Sequence, residues 1–81
     1  MKIGGMQFKA INDETRRTYV FIRDGKQHSF TVDNPQWLHV SESGGHRIIA
    51  KGDGKDYGVY IPAGWVCLFW EAHAGKQLFA F

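Results

Sequence analysis

The chain has 81 residues, of which 43% are hydrophobic and 15% are aromatic, and its formal net charge is +2. This length provides for one small domain, and the aromatic content is above that of disordered chains. The single cysteine excludes an intramolecular disulfide, and the weak positive charge excludes both an acidic DNA mimic and a protein dominated by a basic nucleic-acid-binding stripe.

Short apolar or alternating runs recur along the chain, separated by Gly, Asp and Asn at a spacing of roughly ten residues. This rhythm predicts an all-β domain over residues 1–81, a small antiparallel meander of about seven or eight short strands that forms a barrel or a compact sandwich. The best helix candidate, residues 35–40, is too short to be stable alone.

Residues 2–11 are expected to form the first strand, with Met6, Phe8 and Ala10 on one face. Met6 is also an alternative start of the folded part, in which case residues 1–5 are a frayed leader. The N-terminus lacks the apolar stretch of a signal peptide, and no later run reaches the roughly 20 residues of a membrane span. We therefore expect a cytoplasmic protein without membrane association.

The next two strands are predicted to form a hairpin around Asp24-Gly25, a dipeptide that favours a two-residue type I′ turn. With this turn, Tyr19 faces Phe30 and Phe21 faces His28. One face of the hairpin is then aromatic and the other is β-branched or polar, which makes the register self-consistent.

A further strand is expected at residues 37–42, where Trp37 is interpreted either as a lid on the core or as an exposed anchor for a partner. A second hairpin is predicted around Asp53-Gly54. This turn places Lys51 opposite Asp56 and creates a continuous apolar face, which fixes the register more strongly than the single charge pair does.

The third hairpin is predicted around Ala74-Gly75, with Trp70 opposite Phe79 and Ala72 opposite Gln77. Both of its faces are apolar, which indicates a strand covered on two sides or by a partner. The final strand, residues 76–81, is expected either to close a barrel against the first strand or to form an intermolecular interface, such as a homodimer.

One face of the first hairpin combines cations with aromatic rings. Arg17, Tyr19, Phe21 and Arg23 follow one another at period two, and Lys26 and His28 join them from the paired strand. Aromatic rings beside cations are typical of sheets that bind single-stranded nucleic acid. The alternative is that the rings form the core and that the two arginines lie at its solvent-exposed ends.

The sequence signals for a catalytic or metal-binding site are weak. Cys67 and His73 lie six residues apart on one predicted strand, or about 20 Å, so they are not expected to form a catalytic pair. The four histidines lack the spacing of a zinc site, and no helix follows the glycine pairs to form a phosphate loop. We expect no enzymatic activity, no metal and no cofactor.

The resulting expectation is a small protein–protein interaction module that blocks a larger partner sterically. Inhibitors or adaptors from phages and mobile elements often have a similar size and composition. The alternative function is single-stranded nucleic-acid binding by a basic and aromatic sheet face. The candidate binding residues for the two functions are Arg17, Tyr19, Phe21, Arg23, Lys26 and Trp37.

Overall fold

The structure is a computed structural model that describes residues 1–73 and 77–80. These residues form ten strands and no helix, and every strand pair is antiparallel, which confirms the predicted all-β class. A helix long and apolar enough to cross a membrane is therefore missing from the described chain. The strands are β1 (Lys2–Ile3), β2 (Met6–Gln7), β3 (Lys9–Ala10), β4 (Glu14–Arg23), β5 (Lys26–Asp33), β6 (Pro35–Val40), β7 (His46–Lys51), β8 (Asp56–Ile61), β9 (Cys67–Ala72) and β10 (Gln77–Ala80).

The strands are arranged in three sheets. Two sheets have four strands each, in the orders β10-β9-β4-β5 and β3-β6-β7-β8, and β1 pairs with β2 in a separate hairpin. Within the described ranges the strands do not close into a barrel, which corrects that alternative. The simple meander is also wrong, because the chain leaves the first sheet after β5, builds the second, and returns to place β9 beside β4.

The first predicted hairpin is confirmed residue by residue. Tyr19 pairs with Phe30 and Phe21 with His28. Asp24 and Gly25 have φ angles of 51° and 73°, as a type I′ turn requires at both central positions. A non-glycine residue tolerates this conformation best when it is Asp or Asn, so the dipeptide determines the turn and the turn determines the register.

The second predicted hairpin is confirmed as well, with Lys51 opposite Asp56 and Ile48 opposite Val59. Of the two residues at its tip, only Gly54 has a positive φ, 73°. The strand expected at residues 37–42 is observed as β6, which starts two residues earlier and ends at Val40.

The N-terminal strand is a correction. Residues 2–11 are not one strand but contribute β1, β2 and β3, which brings the number of strands among the described residues to ten. The physical reason is that Gly4 and Gly5 both have positive φ angles, 56° and 81°, and turn the chain back on itself. The carbonyl of Met1 accepts a hydrogen bond of 2.7 Å from the amide of Phe8.

The third hairpin has a different register from the prediction. Gln77 pairs with Glu71 rather than with Ala72, a shift of one residue. Hydrophobic patterning cannot detect such a shift where the sequence is apolar at consecutive positions, because either register buries apolar side chains. The predicted turn and Phe81 lie outside the described residues, and β10 pairs with β9 alone among the described strands.

One core lies between the two four-stranded sheets. Tyr19 and Ile48 are almost completely buried and come from opposite sheets. Phe21, Val59, Trp65 and Trp70 pack against the edge of this cluster. The buried hydrophobic residues of the core are Ile11, Tyr19, Val32, Leu38, Ile48, Ala50, Ile61 and Leu68.

The chain crosses from the first sheet to the second at Asn34, immediately before β6. Asn34 has a φ of 51°, and its amide donates to the carbonyl of Thr15 at 2.9 Å. Its own carbonyl accepts a hydrogen bond of 3.0 Å from the amide of Lys51. The main-chain hydrogen bonds of this residue therefore link β4 of one sheet to β7 of the other.

Candidate binding surface

The half of the β4–β5 hairpin nearest its turn is exposed. Tyr19 and Val32 are buried, whereas every residue from position 22 to position 31 is exposed. The side of this half that continues the core face carries two aromatic rings and three basic side chains. We call it the hairpin surface: Phe21, Arg23, Lys26, His28 and Phe30.

Two shallow depressions lie on the hairpin surface and share Phe21 and Arg23. The first has a volume of about 250 Å³ and is completed by His28. The second, of about 210 Å³, is completed by Phe30 and by residues 60–62 of the second sheet. Arg23 therefore borders both depressions, which places a cation next to each aromatic wall.

Two of the sequence-predicted binding residues lie in the interior instead. Arg17 is only 5% exposed and Tyr19 is fully buried, so the expectation that Arg17 lies at a solvent-exposed end is wrong. The reason is an acidic partner three residues earlier in the chain. Glu14 is also buried and accepts hydrogen bonds from Arg17 at both of its oxygens, with Nε–Oε1 at 2.9 Å and an Nη2–Oε2 distance of 2.8 Å.

The buried ion pair continues into a hydrogen-bond chain. Nη1 of Arg17 donates to the Tyr19 hydroxyl at 3.4 Å, and the hydroxyl lies 2.6 Å from Nδ1 of His46. Because arginine offers only donors, the Tyr19 oxygen accepts from Arg17, and its own proton is available for a hydrogen bond with Nδ1. In that arrangement the neutral His46 ring accepts at Nδ1 and carries its proton on Nε2.

Burial and charge determine the protonation states in this network. Burial lowers the pKa of His46 to about 4, and the positive charges of Arg17 and Lys9 add to this effect. Burial raises the pKa of Tyr19. Burial opposes the charge of Arg17, but hydrogen bonds to Glu14 and Tyr19 outweigh it and raise the Arg17 pKa. At neutral pH the network thus holds one ion pair and a neutral histidine.

Two tryptophans pack against the network. Trp65 makes edge contacts with Tyr19 and His46, at centroid distances of 4.9 and 4.6 Å. The guanidinium carbon of Arg17 lies 4.9 Å from the centre of the Trp70 ring, a cation–π contact. Since no buried polar side-chain atom of the described residues lacks a partner, the network is a satisfied structural element of the core.

The remaining candidate, Trp37, lies on β6 in the second sheet and is half-buried. It pairs with Ala10 of β3 and with Ile49 of β7. Trp37 therefore does not join Phe21, Arg23 and Lys26, which the hairpin brings together.

A second exposed cluster surrounds Tyr60 on β8, and it is not among the sites predicted from the sequence. The Arg47 guanidinium lies 5.0 Å from the centre of its ring, and Ser43 Oγ lies 3.4 Å from its hydroxyl. Hydrogen bonds from Ser43 and Ser41, together with the charge of Arg47, lower the pKa of Tyr60. The register of the Asp53-Gly54 hairpin already places Arg47 opposite Tyr60, so this signal was present in the sequence.

An open groove of about 330 Å³ lies beside this cluster. Its lining is mostly apolar, and Gly58 leaves space at its floor because an added Cβ would meet nothing within 4 Å. The N-terminal hairpin contributes one wall through Ile3. The groove is lined by Ile3, Phe8, Arg47, Ile48, Ile49, Gly58, Val59 and Tyr60.

The residues considered for catalysis have separate structural partners. Glu71 lies 3.4 Å from Arg16, and Nε2 of His73 lies 3.1 Å from the carbonyl oxygen of Asn12. Cys67 is a half-buried free thiol. In the part of the chain that the structure describes, no three His, Cys, Asp or Glu side chains gather as a metal site would require.

The chain matches no protein-family model, no curated protein and no solved structure. Among the predicted candidates, the exposed Arg23 and Lys26 are contiguous with the half-buried Phe21, and His28 and Phe30 extend this surface.

Proposed function

We propose that the chain is a non-enzymatic protein–protein interaction module that binds its partner through the hairpin surface. The observation that carries the proposal is an exposed aromatic ring next to cations: Phe30 is 45% exposed and is continuous with the half-buried Phe21 and with Arg23. Aromatic and arginine side chains are enriched at protein interfaces, where a few residues carry most of the binding energy.

The chemistry of the hairpin surface assigns a role to each side chain. Phe21 and Phe30 offer apolar area to the partner, and Arg23, Lys26 and His28 offer donors to its carboxylates. The two four-stranded sheets share one core, and this core supports the hairpin surface. We propose that such a module acts by steric blocking in the cytoplasm, as an inhibitor or adaptor.

Site-directed photocrosslinking tests this function. A benzophenone-bearing phenylalanine analogue in place of Phe30 is expected to capture one specific protein from an extract of the source cells. The same analogue in place of Ile22, which is 51% exposed on the opposite face of the hairpin, is the matched control and is expected to capture none. Arg23→Ala should abolish capture from position 30. Equal capture from both positions, or none from position 30, would contradict the proposal.

Single-stranded nucleic-acid binding is the second candidate, favoured by the three basic side chains around two aromatic rings. The burial of Arg17 and Tyr19 leaves Phe21, Arg23 and Lys26 of the predicted set to contact bases and phosphates. If this function holds, a labelled oligonucleotide binds at low salt, its affinity falls as salt rises, and Arg23→Ala with Lys26→Ala reduces the salt dependence. Absence of binding at low salt would exclude it.

A further inference from the structure

We propose that the outer edge of β5 is a strand-addition site, at which an extended acidic segment of the partner protein pairs with the first sheet. This inference rests on the proposed protein-binding function and specifies how the partner binds. β5 pairs with β4 on one side, and among residues 1–73 and 77–80 no strand pairs with its other side. An edge of this kind is a template for another strand.

The direction of the free main-chain groups follows from one hydrogen bond. The carbonyl of Val20 accepts from the amide of Val66 at 2.8 Å, so this position of β4 points toward β9. The main-chain amides and carbonyls of the neighbouring residues, Tyr19 and Phe21, therefore face β5 and form hydrogen bonds with the residues opposite them. It follows that the amides and carbonyls of Gln27, Ser29 and Thr31 point outward.

The β5 edge lacks the usual features that prevent strand addition. The β4–β5 register runs without a bulge through eight residue pairs, and β5 contains no proline. Its only Lys, Arg, Asp or Glu residues, Lys26 and Asp33, are at its two ends. Charges, bulges and prolines near the middle of an edge strand are what normally block pairing.

The charge of the adjacent face determines the chemistry of the incoming segment. The strand positions of the hairpin surface carry Arg23, Lys26 and His28 and no carboxylate. A strand added to β5 would place alternate side chains beside this face, and carboxylates there would complement its charge. An apolar side chain would lie beside Phe30. The other side chains of the segment would lie beside Gln27, Ser29 and Thr31, where polar residues fit.

The same edge distinguishes a peptide from a nucleic acid. Its donors and acceptors repeat at every second residue, which matches the alternating amides and carbonyls of an extended peptide. A sugar–phosphate backbone offers acceptors to such an edge but no regular row of donors. The main-chain geometry therefore favours a protein segment, and an oligonucleotide becomes a comparison in the test.

The experiment measures binding of one designed peptide to the complete chain. The probe has nine residues, with blocked ends, glutamate or leucine at every odd position and threonine at every even position. Two derivatives carry N-methyl groups, on the odd or on the even amides. Strand addition predicts that one derivative loses at least about tenfold in affinity while the other keeps it, because only one set of amides faces β5. Lysine in place of glutamate should weaken binding as well.

A protein variant supplies the complementary test. Ser29→Pro removes an outward amide and adds bulk at the edge, while the bonds of β5 to β4 do not use that amide. We expect a loss of roughly tenfold or more in peptide affinity relative to Ser29→Ala, with an unchanged circular dichroism spectrum. If Ser29→Pro unfolds the chain, the two methylated peptides still decide the question on the wild-type protein.

The outcomes separate this inference from the proposed function. If both methylated peptides bind like the parent, or if the parent does not bind, strand addition is wrong. Should crosslinking from position 30 still capture a specific protein in that case, the binding function stands with a different geometry. Binding of an oligonucleotide in competition with the peptide at the same edge would also overturn the inference.

Discussion

At the residue scale, the most consequential feature is an ion pair inside the core of a very small domain. Arg17 and Glu14 are each 5% exposed and share two hydrogen bonds. Replacing one partner leaves the other as an uncompensated buried charge. We predict that Arg17→Met lowers the free energy of unfolding by about 3–5 kcal/mol, as measured by urea denaturation.

A neighbouring arginine is the matched control for this prediction. Arg16 contacts Asp33 and Glu71 with its side chain largely exposed, so Arg16→Met should cost less than about 1 kcal/mol. Combining Arg17→Met with Glu14→Leu should recover much of the lost stability, because no unpaired charge remains. Similar losses for the two single arginine variants would contradict the assigned role of the buried pair.

His46 makes the stability of the domain dependent on pH. Its pKa is lowered from 6.5 to about 4 in the folded protein, so between these values the unfolded chain binds a proton that the folded chain does not. The free energy of unfolding should therefore rise with pH from 4 to 6.5 and fall on acidification, by up to about 3 kcal/mol from this residue.

Urea denaturation across this pH range tests the His46 prediction. His46→Gln removes the titrating group while keeping an acceptor for Tyr19, and it should flatten the dependence on pH relative to the wild type. His28 is exposed on the hairpin surface, so His28→Gln should preserve the wild-type slope. A His46→Gln variant with the full slope would show that another group is responsible.

At the element scale, the pairing of β7 with β8 depends on a glycine that the Tyr60 side chain covers. A Cβ at Gly45 would collide with the hydroxyl and ring of Tyr60. Gly45→Ala should therefore displace the ring from Arg47 and Ser43 and lower the melting temperature by a few degrees. Gly58→Ala, on the paired strand in open space, should leave it unchanged.

A double variant identifies the cause of the Gly45 effect. If the collision with Tyr60 is responsible, Gly45→Ala on a Tyr60→Ala background should have little further effect on the melting temperature. Additive effects of the two substitutions would instead point to a backbone role of Gly45.

The turns explain which elements the sequence could predict. Asp24-Gly25 and Asp53-Gly54 determine two registers locally, and both predictions are confirmed. The N-terminal hairpin was missed because Gly4-Gly5 lies between runs of only two residues, too short to show alternation. Nothing in the local pattern near Asn34 indicates that the next strand joins a different sheet.

Only part of the candidate surface could be predicted, because the pattern of one strand does not show what the rest of the fold covers. Period-two alternation correctly placed Arg17, Tyr19, Phe21 and Arg23 on one face, but alternation does not reveal how far the second sheet covers that face. The boundary between buried and exposed lies at Phe21 and depends on tertiary packing. The pairing of Arg17 with Glu14 was missed because the bulge between Glu14 and Arg16 interrupts the strict alternation.

At the scale of the whole molecule, the sheet order sets the relative stability of the strands. β4 is paired on both sides, whereas β1 and β2 form an isolated pair of two-residue strands. We predict that hydrogen exchange is slowest for the amides of β4 and fastest for those of β1 and β2, measured residue by residue by NMR. Slower exchange in β1 than in β4 would contradict the sheet order.

The pairing of β4 with β9 also bears on how the protein is made. Synthesis proceeds from the N-terminus, so β4 is complete at Arg23 before β9 is translated. The pairing of β4 with β9 therefore cannot form until Cys67–Ala72 has been synthesised. In that interval, the nascent chain carries Arg17 without Trp70, whose ring later contacts its guanidinium group. The first sheet is thus expected to be completed only after β9 has emerged, rather than strand by strand.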